Sequence, residues 1–98
     1  MSERIQKLQR AVETVHACKA THEGSSPIRE TFQGQTVWEG VVESFALSGH
    51  PKTARCYAWS YQLGAETHYT TVLELPPITS PLTAVRAVIA GQTRNSKR

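Results

Sequence analysis

A chain of 98 residues has room for one domain, and a single sheet with one or two helices nearly exhausts it. No apolar run approaches the ~20 residues that span a bilayer, and the opening Met1, Ser2, Glu3 and Arg4 lack the apolar centre of a secretory leader, so a soluble cytoplasmic protein is expected. The net charge of +3 is terminal: without Arg94, Lys97 and Arg98, eight Lys and Arg stand against eight Glu and no Asp, leaving a neutral domain at 1–93 and a basic tail, expected to be disordered, at 94–98.

Residues 3–19 predict an amphipathic helix. Ile5, Leu8, Val12 and Val15 recur at spacings of three and four, Arg4, Lys7 and Arg10 lie off that stripe, and Ser2 is placed to cap it. Ala20 to Pro27, with Gly24, Ser25 and Ser26, has the composition of a loop. A short strand is expected at Ile28 to Phe32, where Arg and Glu suit a sheet edge. Two longer strands follow at about 36–47 and 53–62, around the turn Ser48, Gly49, His50, Pro51, Lys52. A fourth at about 67–75 returns through Leu63, Gly64, Ala65 and Glu66. After Pro76 and Pro77, Ser80 before Pro81 marks a second helix to about Ala90, with Leu82, Val85 and Ile89 as its stripe and Gly91 as its stop. The expected fold is α+β: a three- to four-stranded antiparallel sheet in the order α-β-β-β-β-α or α-β-β-β-α.

The run Arg55, Cys56, Tyr57, Ala58, Trp59, Ser60, Tyr61 alternates small and aromatic side chains at the period of a strand. A symmetric hairpin before it pairs Ala46 with Ala54, Ser44 with Cys56 and Val42 with Ala58 on one face. On the other face it pairs Phe45 with Arg55, Glu43 with Tyr57, Val41 with Trp59 and Glu39 with Tyr61. The hairpin after it sets Leu73, Thr71 and Tyr69 beside Cys56, Ala58 and Ser60, and Val72, Thr70 and His68 beside Tyr57, Trp59 and Tyr61. Short side chains let a helix approach closely, so both helices are expected on the small-residue face. The opposite face then offers Tyr57, Trp59 and Tyr61 in line with Phe45, rimmed by Glu39, Arg55 and His68, an apolar patch that reads as an interaction surface. Its expected partners are a second copy of the chain, another protein or a small apolar ligand. Glu39, Glu43 and Glu74 around the patch oppose a nucleic-acid backbone.

Catalysis has thinner material. His68, with Glu39 and Tyr61 across the strands, supplies a general acid or base, but no Gly-rich phosphate loop, GxSxG or Asp accompanies it. Cys18 and His22, with His16 nearby, do not complete a metal set, and Cys18 and Cys56 without a CxxC spacing read as free thiols. No cofactor and no metal are expected.

The order of helix, strands and helix resembles the double-stranded-RNA-binding domain, and the turn Gly49, His50, Pro51, Lys52 holds the ingredients of that family's first hairpin loop. The resemblance implies an RNA-binding alternative. That family's second helix opens on phosphate-gripping lysines, whereas Ser80, Pro81, Leu82, Thr83, Ala84 contains none. The run Val37, Trp38, Glu39, Gly40, Val41, Val42, Glu43, with Gly49 to Lys52 and Arg55 to Trp59, looks like short uncharacterised bacterial proteins met on mobile gene cassettes, over about residues 31–61. That resemblance implies a bacterial origin and carries no activity. The function expected from these residues is a non-enzymatic binding module that self-associates through its aromatic face.

Overall fold

A computed structural model describes residues 2–95. The elements are α1 (Glu3–His16), β1 (Lys19–Phe32), β2 (Gln35–Ser48), β3 (Arg55–Leu63), β4 (Glu66–Leu73) and α2 (Pro81–Asn95). The fold is α+β in the longer of the two expected orders, and the four strands form one antiparallel sheet in chain order. No helix among the described residues is long and apolar enough to cross a membrane.

The Ser2 hydroxyl accepts from the Ile5 amide at 3.2 Å and opens α1. The helix stops earlier than its composition suggests because Ala17 turns left-handed at φ 53°, ψ 47°, releasing the chain into β1. The stretch 20–27, expected as a loop, is the first half of that strand. An edge strand tolerates such residues because it is held from one side only. Leu47 donates to the Ala54 carbonyl, so the main chain of β2 turns toward β3 at odd-numbered residues. Val41 is one of these, and the nitrogen of its β1 partner Pro27 therefore faces outward and forfeits no ladder bond. Gln33 and Gly34, both at positive φ (53° and 79°), make the two-residue turn that closes the β1–β2 hairpin. At the other end of the chain α2 passes the expected stop and includes Arg94, while residues 96–98 of the basic tail lie outside the described residues.

The β3–β4 register is the expected one, with Cys56 opposite Leu73, Ala58 opposite Thr71 and Ser60 opposite Tyr69. The β2–β3 register is displaced by one residue: Phe45 faces Cys56, Glu43 faces Ala58 and Ser44 faces Tyr57. The displacement sets large against small on each face, where the symmetric turn would have set Phe45 against Arg55 and Glu43 against Tyr57. A slip of one residue also reverses which side of the sheet each β2 side chain occupies.

The two helices consequently lie on opposite faces, which corrects the expectation that both cover the small-residue face. Leu8 and Val12 of α1 pack on Ala20, Phe45, Leu47, Cys56 and Ala58. Ala84 and Val85 of α2 pack on Val42, Tyr57 and Trp59, with Trp38 and Val88 at the border. Both faces carry apolar side chains, and leaving either in water would forgo ~1.5–3 kcal/mol for each large one. One helix per face resolves this. Phe45, expected on the open aromatic face, is fully buried under α1. Replacing Phe45 by Ala should therefore cost about 3–5 kcal/mol in urea denaturation, and a loss below about 1 kcal/mol would be inconsistent with that burial.

Candidate functional site

The sheet is joined unequally. β2 and β3 share ladder pairs only from Ala46↔Arg55 to Glu43↔Ala58, yet β2 runs on to Gln35 paired with β1 alone, and β3 runs on to Leu63 paired with β4 alone. Two-stranded ribbons twist more strongly than broad sheets, so the long β1–β2 hairpin turns away from β3–β4 beyond the shared pairs. The divergence opens a cleft of about 250 Å³, walled by Trp38 to Val41 from β2 and Trp59 to Tyr61 from β3, with Val88 of α2 at its border. By the alternation set at Leu47 and Ala54, the main-chain groups of Glu39, Val41 and Ser60 point into it.

Aromatic side chains line one side of this opening. The rings of Trp38 and Trp59 meet edge to face with centroids 5.5 Å apart. Trp38 lies folded over Gly40: a Cβ at position 40 would come 3.0 Å from the ring, so any side chain there would press the indole back by a few tenths of an ångström. Tyr61 stacks on His68 with centroids 5.4 Å apart.

At the apex, on the α1 side, stands Glu43, fully buried on the last rung of the β2–β3 ladder. Arg4 of α1 donates to its Oε2 at 2.7 Å. His22 Nε2 lies 2.7 Å from its Oε1, which also accepts from the Ser25 hydroxyl. His22 and Ser25, three positions apart, would ordinarily face opposite sides; a β-bulge between His22 and Gly24 brings both to the same side. Burial opposes ionisation of Glu43, but hydrogen bonds from Ser25, Arg4 and His22 and the Arg4 charge outweigh it and hold its carboxyl below the ordinary value. A Ser, a His and a carboxylate together suggest nucleophilic catalysis, yet here Ser25 and His22 both bond to the carboxylate. In a catalytic triad the imidazole stands between the other two groups, so this arrangement ties α1 and β1 to β2 and leaves Ser25 without a base.

The residues singled out from sequence are dispersed by the fold. Tyr57 and Trp59 are 2% and 4% exposed beneath α2, and only Tyr61, at 44%, remains open. The expectation of an uncovered aromatic face is thereby corrected, and bases have no access to Tyr57 for stacking. The Tyr57 hydroxyl donates to Glu74; burial first, then that bond and the Glu74 charge, push its pKa up to about 12. Arg55 is spoken for by Glu23 at 2.8 Å and Glu74 at 3.6 Å. Glu39 pairs with Arg29 at 3.0 Å and His68 with Glu66 at 3.3 Å, so the proposed acid and base of a small-molecule enzyme are each engaged elsewhere. Burial pushes the Cys56 thiol up to about 12, and both cysteines are free. Among the described residues no group of three or more His, Cys, Asp or Glu could hold a metal ion.

Trp38, Gly40 and the partners of Glu43 escaped the sequence reading. The signal for Trp38 and Gly40 was an aromatic two positions before a glycine in a strand. Nothing local marks Arg4 or His22 as partners of Glu43, because they join it from 39 and 21 residues away.

A depressed folded pKa makes the Glu43 contribution fully present above the ordinary carboxylate value of 4.5 and lost as pH falls through the lower folded value. Replacing Glu43 by Gln should cost about 1.5–3 kcal/mol at neutral pH. The gap between wild type and variant should close in acid, as read by urea denaturation across pH. A gap that stays constant into acid would contradict this role.

No protein-family model matches the chain, and no curated protein and no solved structure shows significant similarity to it. The reading of the site therefore rests on its geometry.

Proposed function

We propose that this protein is a small non-enzymatic interaction module, bacterial and cytoplasmic, that takes an extended polypeptide segment into the cleft between β2 and β3 and also self-associates. The observation that carries the first part is the pair of facing strand edges left when the ladder ends at Glu43↔Ala58. A strand edge without a partner is a template for another extended chain. A segment entering the wedge finds main-chain groups of Glu39 and Val41 on one side and Ser60 on the other, with Trp38 and Tyr61 beside it for an apolar side chain. The mixed lining, neither strongly charged nor built around a titratable pair, suits a polypeptide better than a phosphate backbone or a reacting small molecule. The bacterial origin rests on the resemblance over residues 31–61.

Trp38 and Trp59 are the only tryptophans of the chain, and both border the cleft, so indole fluorescence reads its occupancy directly. Titration with a panel of eight-residue peptides rich in β-branched and aromatic residues should give saturable shifts for a subset. Val41→Pro removes an N–H that points into the cleft and leaves the β1 ladder bonds in place. It should weaken that binding about tenfold, the cost of one main-chain hydrogen bond. Equal binding by the variant, or no saturable shift with any peptide, would remove the cleft as the site.

A further inference from the structure

The two outer strands of the sheet are protected unequally. β1 carries register breaks at His22/Gly24 and Glu30/Thr31, a proline at position 27, and the charged Arg29 and Glu30. Those are the devices by which sheet edges avoid pairing with other chains. β4 carries no register break and no proline, and its one acidic residue, Glu66, stands at its first position. From Glu66 to Leu73 it pairs with β3 without interruption, contains no Pro, Lys or Arg, and is built of strong strand formers, namely Thr67, Tyr69, Thr70, Thr71 and Val72. No strand among the described residues pairs with its outer side.

The direction of its main-chain groups fixes what could pair there. Glu74 donates to the Arg55 carbonyl at 3.0 Å, so even-numbered residues of β4 bond inward to β3. Thr67, Tyr69, Thr71 and Leu73 then point outward; the Leu73 carbonyl already accepts from the Leu75 amide, which leaves Thr67, Tyr69 and Thr71 as a set symmetric about Tyr69. We infer that β4 pairs antiparallel with β4 of a second copy about a two-fold axis at Tyr69, joining two sheets into one of eight strands. In that register Thr67 faces Thr71 of the second copy and Tyr69 faces its own equivalent, so each of these three residues bonds another of the set. Glu66 faces Val72 and His68 faces Thr70, with no like charges opposed. Shifting the axis to Thr70 would set Glu66 against Glu74, two like charges opposed. A two-fold arrangement also closes the assembly, because the remaining outer strands are the blunted β1 edges. Tyr69 is 39% exposed in the single chain and would be covered.

This inference rests on the self-association part of the proposed function, to which it gives a surface. It is independent of the cleft, which lies on the other side of the β3–β4 hairpin. Sedimentation of the full chain across concentration should show a dimer. Tyr69→Lys and Tyr69→Glu each oppose like charges across the axis and should raise the dissociation constant about a hundredfold or more, whereas an equimolar mixture of the two should restore the dimer. A wild type that remains monomeric would end the self-association reading altogether. A wild-type dimer that survives both substitutions, or a mixture that stays monomeric, would leave self-association standing and overturn the β4 surface. Amide exchange on the unaltered protein gives a second readout: Thr67, Tyr69 and Thr71 should exchange more slowly as concentration rises, and rates indifferent to concentration would equally overturn the pairing.

Discussion

A carboxylate with no access to water anchors this fold. Burying the charge of Glu43 carries a desolvation cost of several kcal/mol, tolerable only because Arg4, His22 and Ser25 all direct donors at it. These partners come from α1 and β1, while Glu43 itself belongs to β2, so one side chain fixes three elements relative to one another. A half-satisfied network of this kind would be worse than an apolar core. Among the described residues no buried side-chain polar atom lacks a partner. The position of Glu43 on the last rung before the strands part is as important as its bonding. It rigidifies the joined end of the sheet and leaves the divergent end to the aromatic rings.

The architecture was readable where the physics is local. The stripe of Ile5, Leu8 and Val12, the Ser80 cap and the glycine turn between β3 and β4 each need only neighbouring residues, and the elements they announce are present. What local reading missed about the two faces of the sheet comes from the one-residue displacement between β2 and β3. It moved Phe45 and Glu43 to the α1 side and left Tyr57 and Trp59 to be covered by α2. The choice between registers is decided by helices distant in sequence, since large side chains of one strand must sit over small ones of its neighbour for either helix to dock. β1 was underestimated for a related reason. Gly24, Ser25, Ser26 and Pro27 are poor strand formers, but the bulge they accommodate is what lets His22 and Ser25 reach Glu43 together.

The candidate site was half legible. Trp59 and Tyr61 do border the cleft, but as a wall between strands and with the indole of Trp59 turned under α2. The proposed function rests on incomplete pairing: a sheet with every edge matched would offer a flat, finished surface, whereas here strand edges are left without a partner between two hairpins and along β4.

Each ladder of the sheet joins strands adjacent in the chain. Long loops are closed instead at the helices, where Arg4 reaches Glu43 across 39 residues, His16 reaches Thr71 across 55 and Arg86 reaches Glu30 across 56. Loop closure is the entropic obstacle that slows β-rich chains, and a meander concentrates it in these two docking events. The sheet can be assembled from neighbouring segments alone, leaving the two ends of the polypeptide to close the core over a template already made.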